Sequence, residues 1–580
     1  MLLGIDVGGT HTDAVVVEDS RIRATAKVPT DHDNLLHSIR AGLRAVLSGL
    51  DPGRIKRLNL STTLSTNSII EGKTEDVGVI VSAGPGVDPE NHRVGGHFHV
   101  IEGSIDHRGT EIKPLDQPQL EGALGACESA GVRVYAAVGK FSTRNPGHED
   151  RIEESIRARA AKDADFITRG HSLSGALNFP RRMATAYFNS AVWRSYNDFA
   201  WAVEESVADF GLASELNVLK ADGGTMPLSA SKDVPVQTIL SGPAASVMGI
   251  IALCDITQDC VILDIGGTTT DIAVFADGAP LIENKGMTLG SYPTLVRALK
   301  LHSIGIGGDS ALHVSVDDIH VGPDRKGPSL AGCERSGGTS CEIAHAPGGG
   351  PPETWGRMCA PALTDAMNYL GISDFGDTQA SKAGIERLAA LWDMIPERLC
   401  RRAVAYAVDQ IRAAVLDLVY EINEKPVYTI FELLEGKRVK PRKVYVMGGP
   451  AKAFSDLLAK SLGMEVVVPE HFAVANAVGA ALTRTTMDVI LFADTQKRRL
   501  FIPNLNVSRE IPREYTLEQA KEDARRYLLE YLQDKGVRVD ETEPEIIEAG
   551  SFNMVDGYSA KGKNIRVRCQ VRPSVAKISL

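Results

Sequence analysis

Asp6-Val7-Gly8-Gly9-Thr10-His11-Thr12-Asp13 and Asp264-Ile265-Gly266-Gly267-Thr268-Thr269-Thr270-Asp271 are two copies of one motif. In each, an Asp leads two glycines and a Thr, and a second Asp closes the motif at the same spacing. Apolar runs flank both copies, at 2–5 and 14–17 and at 261–263 and 272–275. The pattern predicts a strand, a tight Gly-Gly turn and a returning strand at both places. Paired glycines let the backbone turn sharply and leave amide N–H groups open to an anion. The Thr hydroxyls add neutral donors. The leading Asp repels a bare phosphate, so the motif reads as a phosphate loop with Mg²⁺ between carboxylate and phosphate. One Asp-x-Gly-Gly-Thr is an ordinary hairpin turn. Two copies on matching strand patterns are not explained by turn geometry alone.

A chain of 580 residues predicts several domains with ample core. The net charge of −11 argues against a general binder of nucleic acid or of acidic membranes. The longest apolar run, 244–254, is too short for a bilayer span. Met1 runs straight into the first strand, which predicts no signal peptide. The eight Cys are scattered without a Cys-x-x-Cys, which suits a reducing cytoplasm.

Around the first motif, 2–7, 12–18 and 22–28 read as strands and 34–47 as an amphipathic helix. A strand at 57–60 runs into Ser61-Thr62-Thr63-Leu64-Ser65-Thr66-Asn67, a hydroxyl-rich helix start. With a further strand at 77–81, three strands, a helix, a strand and a helix resemble the unit of ribonuclease-H-like domains. His92, His97, His99 and His107 crowd 91–107, but no carboxylate or Cys joins them at a ligand spacing. That segment reads as a solvated or substrate-facing loop. Strands are expected at 134–138 and 166–169 and a helix at 149–161. The helical region 181–210 carries Tyr187, Phe188, Trp193, Tyr196, Phe199 and Trp201. They read first as packing between lobes and second as a substrate pocket. After a strand at 217–220, Asp222-Gly223-Gly224-Thr225 lacks the closing Asp and reads as a turn near the site.

Ser241 is the expected N-cap of an apolar helix, with Pro243 in its first turn. Gly305-Ile306-Gly307-Gly308-Asp309-Ser310 is a second glycine-rich turn. The Gly- and Pro-rich stretch 321–361 reads as a long surface loop; its Cys333, Cys341, His345 and Cys359 fit no zinc spacing. Helices are expected at 378–392, 396–423 and 453–462. A strand at 444–447 ends on Gly448-Gly449-Pro450, and another is expected at 465–468. The helix at 473–482 is built of small residues. A charged helix at 517–534 and strands at 546–555 and 565–571 suggest a small α+β appendage. The expected domains are 1–220, 221–485 and 486–580.

The order of these pieces resembles the actin/sugar-kinase/heat-shock-70 ATPase superfamily, in which two ribonuclease-H-like domains face each other across a nucleotide cleft. Within it, the chain is similar to the hydantoinase A/5-oxoprolinase family. Both motif copies carry the similarity, together with Ser61-Thr62-Thr63, Thr66-Asn67, Asp222-Gly223-Gly224 and Leu240-Ser241-Gly242-Pro243-Ala244. So do Ser303-Ile304-Gly305-Ile306-Gly307-Gly308, Val321-Gly322-Pro323 and Leu363-Thr364-Asp365-Ala366. Three places depart from the family pattern. Asp309 follows Gly307-Gly308 where a third Gly is usual. Pro450 follows Gly448-Gly449 directly. Asn476 stands in Val474-Ala475-Asn476-Ala477 where Ser-Ala is usual.

The resemblance implies an α/β fold of two ribonuclease-H-like lobes, with ATP and Mg²⁺ as cofactors. It implies that Asp6 and Asp264 orient Mg²⁺. Gly8, Gly9, Thr10, His11 and Thr12 would cradle the phosphates from one side, and Gly266, Gly267, Thr268 and Thr269 from the other. Gly448, Gly449 and Pro450 would approach the adenosine. Asp13 and Asp271 would be outer partners of the cation, general bases, or braces of their hairpins. Asp309 is a substrate-side candidate. The implied activity is ATP-dependent opening of a lactam, hydantoin or related carbonyl compound by phosphorylation, with a separate B-type subunit as partner. A carboxylase subunit, a small-molecule kinase and a regulatory ATPase switch are the alternatives.

Overall fold

The computed structural model describes the chain except residues 32–33, 71, 160–163, 213, 284, 316–317, 333–358, 425–437, 538–542, 557–558 and 580. Cys333, Cys341 and His345 therefore lie outside the described residues. The fold is mixed α/β.

Both motif copies form the expected hairpins. Leu2–Val7 pairs antiparallel with His11–Glu18, which pairs with Arg21–Pro29. On its other side Leu2–Val7 runs parallel to Arg57–Thr62, and that strand runs parallel to Glu215–Leu219. Thr225–Pro227 closes this six-stranded sheet. The second copy repeats the arrangement. Cys260–Ile265 pairs antiparallel with Thr270–Ala276, which pairs with Leu301–Ile304. Cys260–Ile265 also runs parallel to Lys443–Met447, which runs parallel to Glu465–Val467.

The two sheets share one apolar layer. Helices Ser241–Leu253 and Ala475–Leu482 lie between them, and Val15, Val17, Ala244, Val247, Ala477 and Val478 pack in one cluster with Ile262, Phe275 and Met447. Small residues make this possible. A Cβ on Gly479 would stand 2.1 Å from the Ala245 carbonyl oxygen, and one on Gly4 the same distance from that of Ala477. The helix of small residues is thus wedged between a strand and a second helix at backbone contact. The outer face of the first sheet is covered by Leu35–Val46 and Trp193–Asp209. That of the second is covered by Leu363–Tyr369, Thr378–Leu391, Pro396–Asn423 and Ala451–Leu462.

A fully parallel four-stranded sheet is inserted after the strand Arg57–Thr62 and the helix Leu64–Ile70, in the order Phe166–Arg169, Val134–Gly139, Val77–Ser82, His97–Ile101. The stretch read as a His-rich loop therefore contributes an edge strand: His97 and His99 alternate with apolar Phe98, which is buried. The helical region 181–210 is two helices, Phe179–Ala191 and Trp193–Asp209. Tyr196 and Phe199 fill the first sheet's core, and Phe188 packs against Tyr292. Trp201 is half exposed.

The C-terminal unit is a five-stranded antiparallel sheet with Leu517–Asp534 packed on it. It contains the two expected strands plus Met487–Asp494, Arg499–Ile502 and Val507–Glu510. The chain then returns to the shared layer, where the Ile578 N–H donates to the Ala252 carbonyl at 3.0 Å. Among the described residues no helix is long and apolar enough to cross a membrane.

Candidate active site

Residues directly opposite in an antiparallel pair project from the same face. The registers Asp6↔Asp13 and Asp264↔Asp271 therefore pair the two carboxylates of each motif copy. Neighbouring strands extend each row. Ser61 lies beside Asp6 and Lys27 beside Asp13 in the first sheet; Met447 and Ser303 take those places in the second. The rows are alike in backbone and different in charge. Lys27 Nζ donates to both oxygens of Asp13, at 2.7 and 2.9 Å, and to the Ala473 carbonyl at 3.2 Å. Among the described residues Asp271 receives a hydroxyl, donated by Ser303.

The two leading carboxylates come together across the layer between the sheets. Asn476 Nδ2 donates to Asp6 Oδ2 at 3.2 Å and to Asp264 Oδ2 at 3.4 Å. Ser61 donates to the other oxygen of Asp6, and Ser246 to Asp264 Oδ2. Burial pushes the Asp6 carboxyl up to about 7; the Ser61 bond opposes it, and the charges of Asp13 and Asp264 add to it. Burial likewise raises Asp264, Asp13 and Asp271, the last to about 7 with Asp264 adding to the effect. Carboxylates that are desolvated and face one another resist ionisation until a cation is near. Among the described residues no three His, Cys, Asp or Glu form a ready metal cage. A Mg²⁺ here would take one or two carboxylates and complete its shell from water and phosphate, the usual manner for that ion.

The loops themselves meet. A Cβ on Gly267 would lie 2.9 Å from Thr10 Cγ2 and 3.2 Å from Asp309 Oδ2. Each loop is closed by an equivalent bond, Gly8 N–H to His11 carbonyl at 3.1 Å and Gly266 N–H to Thr269 carbonyl at 2.9 Å. Among the described residues the N–H groups of Gly9, Thr10, Gly267 and Thr268 meet no protein acceptor. Beside Gly9 and Gly449 a Cβ would touch nothing within 4 Å, so these glycines border open space. Gly448 is different: its φ is +90° and a Cβ would strike the Ile265 carbonyl at 2.1 Å, which brings the late Gly-Gly turn against the second loop. Pro450 Cγ lies 3.0 Å from where a Gly308 Cβ would stand.

The Gly305–Ser310 turn backs the second loop. Gly308 and Asp309 N–H groups donate to the Gly266 and Gly267 carbonyls at 3.0 and 2.6 Å, and Thr270 Oγ1 donates to the Ile306 carbonyl at 2.6 Å. Asp309 Oδ2 pairs with Arg325 at 3.1 Å, and Oδ1 accepts from Ser329 N–H at 3.1 Å. Its carboxylate stands at the junction of the two loops. His11 lies in the field of Asp309 and Arg325; burial, then Lys27, lowers its pKa, which favours a neutral ring. Thr12 is buried and bonded to Thr30 at 3.1 Å, so its hydroxyl is turned into the sheet; Thr268 and Thr269 remain at the loop surface.

Several expectations need correction or refinement. Ser241 is not an N-cap: Leu240 takes that position with φ +62°, and Ser241 Oγ instead donates to the Thr62 carbonyl at 2.8 Å. The hydroxyl-rich segment is likewise a tie, since Thr66 Oγ1 accepts from Leu240 N–H at 2.9 Å. The Asp222 turn joins two strands of the first sheet, and Asp222 accepts from Gly224 N–H and Lys220. Cys359 is buried and disulfide-bonded. Sequence reasoning missed Lys27 and passed over the hydrogen-bonding role of Asn476. The turn at 19–20 alone would place residue 26 across from residue 13; a bulge between Val16 and Val17 shifts the register by one and brings Lys27 there.

Two sheets of one pattern thus carry paired carboxylates, and their glycine loops meet between them. Residues 2–160 match the hydantoinase/oxoprolinase N-terminal region and residues 182–489 match hydantoinase/oxoprolinase itself. The chain belongs to the hydantoinase/oxoprolinase family. It is 26% identical over 499 residues to the caprolactamase subunit alpha of Pseudomonas jessenii, covering 80% of this chain and 68% of that one. It is 23% identical over 545 residues to the acetophenone carboxylase gamma subunit of Aromatoleum aromaticum, covering 86% and 70%. Its fold is similar to the nucleotide-free structure of acetone carboxylase, with a TM-score of 0.70 and 17% identity over 99% of this chain and 87% of that one.

Proposed function

We propose that the chain is the ATP-using subunit of an amide-opening enzyme. In this reading 1–220 and 221–485 are two ribonuclease-H-like lobes of actin-like arrangement, 486–580 is a C-terminal α+β domain, and ATP with Mg²⁺ binds between the motif copies. The observation that carries it is the meeting of Asp6 and Asp264, one from each sheet, at Asn476. A divalent cation bound there would offset the mutual repulsion of those carboxylates and screen the phosphate charge.

The chain's own residues then do the following. The unpartnered N–H groups of Gly9, Thr10, Gly267 and Thr268 and the hydroxyls of Thr10, Thr268 and Thr269 hold the phosphates, within the loops Gly8–Thr12 and Gly266–Thr269, as a preorganised donor set does for charge that grows in a transition state. Gly448, Gly449 and Pro450 border the nucleoside. Asp13, locked by Lys27, braces its hairpin. Asp271, with no cation beside it in the strand row, is the freer of the two closing carboxylates. Asp309 and Arg325, at the loop junction, flank the substrate. The carbonyl oxygen of a cyclic amide attacks the γ-phosphorus; the bond to ADP breaks and an O-phosphorylated imidate forms. Water adds to that carbon, and the ring C–N bond breaks as the nitrogen takes up a proton, leaving an acyl phosphate; a second water attacks the acyl carbon and releases phosphate that carries the original carbonyl oxygen. The relatives are named as subunits, which supports a B-type partner for the second half of this sequence. A cytoplasmic setting supplies the ATP.

A carboxylase reading has its own support in the acetophenone carboxylase relative. There the phosphorylated group is an enol oxygen, and CO₂ chemistry follows in the partner. One experiment separates the readings. The chain and a copurified B-type subunit are given ATP with carbonyl-¹⁸O lactams, hydantoins or ketones, and released phosphate is weighed by mass spectrometry. One ¹⁸O per phosphate from a lactam or hydantoin is the expected result, and label from a ketone alone favours the carboxylase. A stable phosphorylated product made by this chain alone identifies a kinase. Unlabelled phosphate with every substrate refutes phosphoryl transfer to carbonyl oxygen and leaves the regulatory ATPase.

A further inference from the structure

We propose that Asn476 is a positioning residue that sets the spacing of Asp6 and Asp264, so that carboxylates from two separate sheets face one divalent cation. The inference rests on the phosphate-site reading above. It comes from three features of the chain.

The first is placement. Asn476 is the only side chain with hydrogen-bonding groups in Ala475–Leu482, a helix otherwise made of Ala, Val, Gly and Leu. That helix is packed at backbone contact. A Cβ on Gly249 would lie 2.1 Å from the Ala475 carbonyl, and the contacts at Gly4 and Gly479 are as close. Its entry is pinned as well, by Lys27 on the Ala473 carbonyl and by Gly448 N–H on the Phe472 carbonyl at 3.3 Å. One short segment thus touches both loops' strands and the late Gly-Gly turn.

The second is chemistry. A primary amide nitrogen carries two N–H donors, and Asn476 Nδ2 lies within reach of one oxygen of each carboxylate. It bridges them without adding charge. A Lys at this position would neutralise the pair and compete with a cation; an Asp would add a third negative charge and supply no donor.

The third is the accounting of oxygens. Asp6 is bonded at Oδ1 by Ser61 and at Oδ2 by Asn476. Asp264 Oδ2 takes both Ser246 and Asn476. Asp264 Oδ1 is left on the Gly448 side, 2.8 Å from where a Cβ on that glycine would stand. Only glycine at 448 keeps that oxygen accessible. Hydrogen-bond partners that orient metal-binding carboxylates commonly change metal affinity 10- to 100-fold when removed.

The test measures Mn²⁺ binding with ADP present and no turnover, by the electron paramagnetic resonance signal of free Mn²⁺. Asn476→Ala is expected to weaken Mn²⁺ by roughly 10- to 100-fold. It should also raise the Mg²⁺ concentration needed for half-maximal phosphate release, with kcat recovered at saturating Mg²⁺. Asn476→Ser, which keeps one small donor in the same tight space, is expected to fall between Ala and Asn. Mn²⁺ binding by Asn476→Ala within twofold of wild type, with Asp264→Asn binding none, overturns the inference and leaves the phosphate site standing. Lost activity that high Mg²⁺ does not restore, with unchanged Mn²⁺ affinity, also overturns it and makes Asn476 a packing residue. Full Mn²⁺ binding by Asp264→Asn overturns the site reading itself.

Discussion

At the scale of single residues, charge placement separates what the two motif copies share from what they do not. Asp13 and Asp271 are equivalent by strand register, yet one faces Lys27 and the other Ser303. A second charged residue shows how much such placement matters to stability. Glu149 is fully buried; it accepts from Gly139 N–H at 2.8 Å and from His171 N–H at 2.8 Å, and its Oε2 lies 2.5 Å from His171 Nδ1. Burial raises its pKa, but His171 and Arg182 outweigh burial and hold the carboxyl below its ordinary 4.5. A folded-state pKa below the unfolded one gives stability that is present above the unfolded value and is lost as pH falls through the folded one. Glu149→Gln is therefore expected to cost about 3–5 kcal/mol near neutral pH, the scale of a broken buried pair. Urea unfolding across pH should show the gap between wild type and variant closing as pH drops below 4.5. A gap that does not change with pH would contradict this account of Glu149.

At the scale of elements, the helix Ala475–Leu482 decides how closely the two sheets approach. Its partners are at backbone contact, so added volume has nowhere to go. Gly479→Ala would place a methyl 2.1 Å from the Ala245 carbonyl. Overpacking of this kind costs about 1–3 kcal/mol, and here it also separates the helix from Ser241–Leu253. A lowered Tm together with weakened Mg·ATP binding is expected; a lowered Tm with full binding would show that the wedge does not set the site. Element existence was largely legible. Pro396–Asn423 and Leu517–Asp534 match their expected bounds, because long amphipathic periods are strong signals. Gln117–Ser129 went unread because its buried positions include Ala123 and Cys127 among Gly and Glu, a weak stripe. The strands Met487–Asp494, Arg499–Ile502 and Val507–Glu510 were not anticipated among the elements expected for this unit. His97–Ile101 was read as loop because His obscured its alternation. The site divided the same way. The glycine loops and their Asp residues were readable as local motifs. The Asn476 bridge joins residues 470 positions apart, and no local pattern encodes such a contact.

At the scale of the whole molecule, the arrangement is two sheets of matched topology on either side of a shared helical layer, with a parallel four-stranded insertion and a C-terminal sheet attached. Matched topology explains why one motif occurs twice: each sheet delivers one loop and one leading carboxylate to a common point. If the two loops make one phosphate site, its energetic signature is coupling. Substitutions at independent sites add, whereas those at one site do not. The most direct measurement is equilibrium Mg·ATP binding to Asp6→Asn, Asp264→Asn and the double variant. Each single variant should lose at least tenfold in affinity, and the double variant should be little worse than either. Two losses that simply add, or near-normal binding by either single variant, would contradict a single phosphate site.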